Sequence, residues 1–137
     1  MNLFKKLQER AVSGNPIRVG MIGAGKFGTM FLAQAARIPA IHIVGVVDLD
    51  PANAKSNMKL VGWSDEAHSA ANLDDAVISG KTYVSDDWQA LVAHPAVNIV
   101  IEATGNPLAA VTHCLAAFAQ GKNVINVTVE ADAFCGP

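Results

Sequence analysis

Positive charge, aromatic residues and cysteine are all scarce in this chain. Ten Lys and Arg against twelve Asp and Glu leave a formal net charge of −2, so there is no basic field to hold a nucleic-acid backbone. Aromatics make up 6% of the 137 residues, too few for a platform on which single-stranded bases stack. No apolar run approaches the length that spans a bilayer. The first residues, Met1 to Arg10, lack the apolar core of a secretory leader, which makes the cytoplasm the expected location. Cys114 and Cys135 have no histidine or cysteine cluster beside them, so neither reads as part of a metal site. Each is expected to be a small buried hydrophobe. The expected partner is therefore a small molecule, not nucleic acid or membrane.

What is present is apolar surface in quantity. Hydrophobic residues reach 51%, enough for one domain with a real core. Leu3, Phe4, Leu7 and Ala11 recur at helical spacing and predict a short amphipathic helix, closed by the turn Ser13-Gly14-Asn15-Pro16. That stripe needs a cover, which the sheet edge or a partner subunit would supply. Residues 1–15 thus read as a leading helix and turn, and residues 16–137 as the domain proper. Strands are expected at 17–22, 41–47, 82–84, 97–103 and 123–127, rich in Val and Ile. Helices are expected between them. One runs from about Lys26 to Ile38, with Phe27, Met30, Phe31, Ala35 and Ile38 on its buried side. A second follows Pro51 to about Val61. Short ones follow Asn72, a further one is capped by Ser85, and the last begins after Asn106-Pro107. Continuous apolar strands alternating with helices predict an α/β, doubly wound, mostly parallel sheet. Its order is that of a mononucleotide-binding half with most of a second half, without the substrate domain that such enzymes carry.

The sharpest motif is Gly23-Ala24-Gly25-Lys26-Phe27-Gly28, set between the first strand and the first long helix. Gly23 permits the tight turn. Gly25 lets the backbone approach a pyrophosphate, and Gly28 lets helix and sheet pack closely. The amides near Lys26 and Phe27 lie at the positive end of the helix, where an anion rests. Lys26 either adds an outer attraction or simply faces solvent. A lone glycine pattern is weak evidence, but here Asp48 ends the next strand, twenty residues beyond Gly28. An acid there accepts hydrogen bonds from an adenosine ribose and repels a 2′-phosphate. Leu49 and Asp50 follow, with no arginine to receive one, so the residues favour NAD over NADP. The bland alternative is that Asp48 only opens the Asp-Pro turn of the next helix.

Ala103, Thr104, Gly105 and Asn106 leave the fourth strand at its C-terminal end, where the nicotinamide half of a dinucleotide would lie. Asn106 also reads as a helix cap. Glu102, just before them, is expected to be a paired structural carboxylate sooner than an acid or base. Glu130 and Asp132 leave the fifth strand near where a substrate would enter. They either bind a metal, move a proton or form the polar start of a helix. His42, His68, His94 and His113 have no acidic partner in any motif, and none is assigned to catalysis.

Residues 17–28, Val46-Val47-Asp48 and Ile101 to Pro107 resemble the cofactor domain of homoserine-dehydrogenase-like oxidoreductases. With Asn126 to Asp132 included, the chain more closely resembles the N-terminal part of bacterial 1-deoxy-D-xylulose 5-phosphate reductoisomerase-like proteins. Ordinary homoserine dehydrogenases usually carry an Asn-Lys pair after the fifth strand, where this chain has Thr128-Val129. The closer resemblance implies an NADPH-dependent rearrangement and reduction giving 2-C-methyl-D-erythritol 4-phosphate, an isoprenoid precursor, from a phosphorylated substrate. It also implies a divalent metal and a homodimer. It places Gly23, Gly25 and Gly28 in the pyrophosphate loop, Asp48 beside the adenosine ribose and Thr104 to Asn106 beside the nicotinamide. The chain by itself is then expected to bind cofactor but to turn over little. The alternatives are an oxidoreductase of another substrate, a non-catalytic dinucleotide-binding regulatory module and, more weakly, another Rossmann-like enzyme such as a methyltransferase.

Overall fold

The computed structural model describes residues 1–136; Pro137, the last residue of the expected domain, lies outside them. Five strands form one sheet: β1 (Ile17–Ile22), β2 (Ile41–Val47), β3 (Tyr83–Ser85), β4 (Ile99–Glu102) and β5 (Asn123–Asn126). Their order is β3-β2-β1-β4-β5, and every pairing is parallel. Seven helices accompany them among the described residues: α1 (Leu3–Val12), α2 (Lys26–Ala35), α3 (Pro51–Leu60), α4 (Leu73–Ser79), α5 (Trp88–Ala93), α6 (Pro107–Ala119) and α7 (Val129–Cys135). None of them is long and apolar enough to cross a membrane. The fold is the expected doubly wound α/β sheet.

Alternation along the strands divides the core between two faces, since successive side chains point to opposite sides. Val19 and Met21 of β1 meet Leu32 of α2 and Met58 of α3 on one face. Ile22, Val44 and Val100 meet Leu73 of α4, Leu91 of α5 and Ala117 of α6 on the other. The β1–β2 register slips by one residue: Val19 pairs with Ile43, but Gly20 pairs with Gly45. Gly20 and Gly45 then lie side by side and form a dent under Leu91. A Cβ on Gly20 would come within 2.9 Å of Leu91 Cγ, and one on Gly45 within 2.6 Å of its Cδ1. Leu91 fills this dent and is 1% exposed.

Caps set most helix starts. Asp50, Asn72, Asp87 and Asn106 each accept a backbone N–H from the first turn of α3, α4, α5 and α6, satisfying donors that a helix leaves orphaned. Two expectations need correction, and a third is narrowed. The cap of α5 is Asp87 and not Ser85, which is the last residue of β3. Helix α2 stops at Ala35, short of Ile38; Ala35 is buried and Phe31 packs on the core as expected, with Gly28 and Leu32 beside them, but Phe27 and Met30 lie exposed. Helix α1 buries none of its residues, and Leu3 and Phe4 face solvent. The sheet edge therefore does not cover its stripe.

Candidate functional site

The strands end level with one another. Ser85 pairs with Val47, Val47 with Ile22, Ile22 with Glu102, and Glu102 with Asn126. The residues that follow β2, β1, β4 and β5 continue the ladder by one bond each: Asp48 N to Ser85 O, Gly23 N to Val47 O, Ala103 N to Ile22 O and Val127 N to Glu102 O. The glycine turn, Asp48 and the β4–α6 loop thus emerge along one rim. β1 stands between β2 and β4, where the direction of winding reverses. Ligands of open α/β sheets lie in the crevice at this switch point.

The glycine turn is held on both sides. Gly23 has φ of +99°, a region that residues with a Cβ adopt at a cost, and its absent Cβ faces the Ala103 carbonyl carbon at 2.7 Å. A Cβ on Gly28 would collide with the Gly23 carbonyl oxygen and with Met21. These two glycines bring turn, helix and β4 together. Gly25 differs: a Cβ there would meet no protein atom within 4 Å. It stands exposed at the start of α2, a helix with no side-chain cap. Uncapped first-turn amides, a positive helix end and cleared space above Gly25 fit a pyrophosphate. Lys26 and Phe27 stand exposed beside it.

Asp48 grips this turn. Its Oδ2 accepts the Ala24 amide at 2.9 Å and its Oδ1 accepts the Asp50 amide at 3.0 Å. The Ala24 carbonyl accepts in turn from Thr29 Oγ1 at 3.1 Å and Asn57 Nδ2 at 3.2 Å. Ala24 is 1% exposed, so the centre of the turn is fixed from α2, β2 and α3 together. Asp48 thus helps open the Asp-Pro turn through the Asp50 amide, and Asp50 in turn caps α3.

A second framework underlies the β4–α6 loop. Glu102 is fully buried. Its Oε1 accepts from Thr104 Oγ1 at 2.5 Å, from the Thr104 amide at 3.4 Å and from His113 Nδ1 at 3.2 Å. Its Oε2 accepts from Thr128 Oγ1 at 2.5 Å. Burial by itself raises the Glu102 carboxyl, but the bonds from His113, Thr104 and Thr128 together outweigh it and hold the group below the usual carboxylate range. A carboxylate only accepts, so both hydroxyl protons and the His113 Nδ1 proton point at it. The hydroxyl lone pairs are then free to receive amides: Gly105 N donates to Thr128 Oγ1 at 3.1 Å, and Asn106 N to Thr104 Oγ1 at 3.2 Å. Trp88 packs on His113 with ring centroids 4.6 Å apart. Glu102 is thus the paired carboxylate expected, and His113 gains an acidic partner that no motif had shown. Thr128, His113, Asn57 and Thr29 were all missed as site residues. Their partners lie 5 to 33 residues away in sequence, and only the sheet order brings the distant ones together.

Glu130 and Asp132 form the polar first turn of α7, and Asn126 Nδ2 donates to Asp132 at 2.7 Å. Among the described residues no three His, Cys, Asp or Glu side chains are grouped to hold a metal ion. The metal implied by the closer resemblance therefore finds no ligand set in these residues. Cys135 is exposed rather than buried, and Cys114 is half-buried. Both line a groove with Leu115 and Phe118, between α6 and α7.

Comparison with known proteins agrees with this fold. Residues 17–130 match a family model described as an oxidoreductase family with an NAD-binding Rossmann fold, GFO_IDH_MocA. The chain belongs to this family. No curated protein matches it in sequence. Among solved structures, it is similar to an NAD binding oxidoreductase from Klebsiella pneumoniae, with 25% identity and a TM-score of 0.55 over 81% of this chain and 27% of the other. Myo-inositol dehydrogenase from Lactobacillus casei, in complex with NAD(H) and myo-inositol, gives 17% identity and a TM-score of 0.60 over 81% and 28%. Biliverdin reductase from Synechocystis sp. PCC 6803, in complex with biliverdin and NADP+, gives 22% and 0.59 over 81% and 29%. The chain therefore spans little more than a quarter of these proteins' length. The last two likenesses show the fold alone.

Proposed function

We propose that the chain holds the dinucleotide of an NAD(P)-dependent oxidoreductase that acts on a small-molecule substrate. The observation that carries this reading is the uncapped start of α2, cleared by Gly25 and set at the switch point of the sheet. The pyrophosphate rests on the amides of Gly25 to Phe27, with the turn shaped by Gly23, Ala24 and Gly28. The adenosine ribose lies at Asp48, whose charge disfavours a 2′-phosphate and favours NAD over NADP. The nicotinamide half lies along Ala103, Thr104, Gly105 and Asn106. Bound there, the cofactor supplies or takes a hydride. The residues of this chain bind and orient it, and positioning the substrate falls to structure outside them.

The resemblance over Asn126 to Asp132 supports a finer reading, in which the substrate is a phosphorylated sugar and the reaction is reductoisomerase-like, in a homodimer. That reading carries NADPH with it, against the preference set by Asp48. Calorimetric titration with NADH, NADPH and S-adenosylmethionine tests the proposal. Binding of NADH, tighter than NADPH, is expected. Failure to bind either dinucleotide would defeat it, and tighter NADPH would overturn the role given to Asp48. The chain with 1-deoxy-D-xylulose 5-phosphate and NADPH is expected to turn over negligibly, and turnover at the rate of an ordinary enzyme would refute a purely cofactor-holding role.

A further inference from the structure

Two loops meet the proposed nicotinamide half from different strands, and one buried side chain sets both. Thr104 lies in the β4–α6 loop, and Thr128 follows β5 just before α7. Each directs its hydroxyl proton to Glu102, and each then accepts an amide of the β4–α6 loop. Gly105 has φ of +70° and no protein atom within 4 Å of its absent Cβ, so the loop is held from beneath while its outer side stays clear. Ala103, at the base of this loop, is the residue against which Gly23 packs. His113 closes the frame from α6, with Trp88 of α5 packed on its ring.

We propose that Glu102 is a positioning residue for the nicotinamide half of the dinucleotide, tying Thr104 and Thr128 into one frame that fixes the β4–α6 loop. This rests on the placement of the cofactor proposed above. A carboxylate is the group that does this, because only an acceptor at both oxygens orients both hydroxyls inward and frees their lone pairs for loop amides. A glutamine at the same position keeps the size but turns a donor toward one hydroxyl. That hydroxyl must then turn its proton away, and the charged bond that locks its orientation beneath the loop is lost. The adenosine half, held by the glycine turn and Asp48, makes no contact with this frame except through Gly23.

The test compares NADH with ADP-ribose, which lacks the nicotinamide, by calorimetric titration of the 137-residue chain. Glu102→Gln and Thr128→Val are expected to weaken NADH about tenfold while ADP-ribose stays within about twofold of the parent. Thr128→Ser, which keeps the hydroxyl, is expected to restore NADH binding. Thr128→Val and Thr128→Ser decide the matter if Glu102→Gln fails to fold. Equal weakening of both ligands would mark Glu102 as a merely structural residue and overturn the proposal. So would unchanged NADH binding in both variants, or no rescue by serine. If the parent chain binds neither ligand, the cofactor placement itself falls and this inference falls with it. If the parent binds ADP-ribose and NADH and only the variant pattern fails, the placement stands and the inference alone is lost.

Discussion

The Asp48 carboxylate accepts the Ala24 amide at 2.9 Å, joining the end of β2 to the centre of the glycine turn across 24 positions of sequence. The acid that the motif reserves for a ribose is thus already part of the scaffold that shapes the phosphate loop. It bonds the Asp50 amide as well. One side chain therefore serves the turn's geometry and the cofactor's selectivity together, and replacing it should disturb both.

Asp48→Asn removes the charge and keeps the size. It is expected to lower stability by about 1–2 kcal/mol, because a charged acceptor of two amides becomes a neutral one. If the charge repels a 2′-phosphate, the variant should also narrow the gap between NADH and NADPH. Denaturant melts and paired titrations measure the two effects separately. An unchanged ratio of the two affinities would count against phosphate exclusion.

The three glycines of the turn should separate fold from binding. Gly23→Ala and Gly28→Ala force a Cβ onto backbone atoms, and each is expected to cost about 2 kcal/mol or more, the range of overpacking and backbone strain. Gly25→Ala meets no protein atom and should melt close to the parent. Its methyl would project into the space assigned to the pyrophosphate. Dinucleotide affinity is then expected to fall at least tenfold, about 1.4 kcal/mol. A Gly25→Ala chain that binds as the parent does would show that the ligand does not approach there.

Acid should weaken the chain through Glu102. Its carboxyl sits below the usual range in the fold, since the hydrogen bonds outweigh the burial that would raise it. A group depressed on folding stabilises fully above its unfolded value, and that contribution is lost as pH falls through the unfolded value and on through the folded one. Stability should therefore be level in this respect at neutral pH and decline below the ordinary carboxylate range. Glu102→Gln should lose about 1–3 kcal/mol at neutral pH and show a flatter acid limb. Denaturant midpoints across the acid range report both.

The two thiols should react in order. Burial pushes the Cys114 thiol up, and the charges of Glu102 and Asp132 push it further. Less thiolate means slower attack on a disulfide reagent. Cys135 is exposed on α7 and is expected to react first at neutral pH. Cys135→Ser should leave only the slow phase, and a fast phase surviving in that variant would contradict the assignment.

Much of this was legible in the order of residues. The bounds of β1 and β2 follow from their Val and Ile runs, and Asn72 and Asn106 announce their helices. The glycine turn and Asp48 stand out because their spacing is local to one βαβ unit. The Glu102 frame is different. His113 lies nearly two turns along α6 and Thr128 beyond another strand, so their meeting depends on β4 and β5 being neighbours. The buried face of α2 was legible only in part, at Phe31 and Ala35, for a related reason. Periodicity locates a stripe, but which side fits the sheet depends on how closely Gly28 lets the helix approach.

The dent beneath Leu91 ties three positions into a shared history. A methyl on Gly20 or Gly45 would force the buried Leu91 to shift, and one on Gly45 would crowd Leu73 as well, while a smaller residue at 91 would open a void. Substitution at any one of them is expected to cost stability unless another changes with it. A lineage carrying this chain would cross from one combination to another only by compensated steps. Ancestors and descendants should hold the three residues as a set, even though none of them touches the cofactor rim.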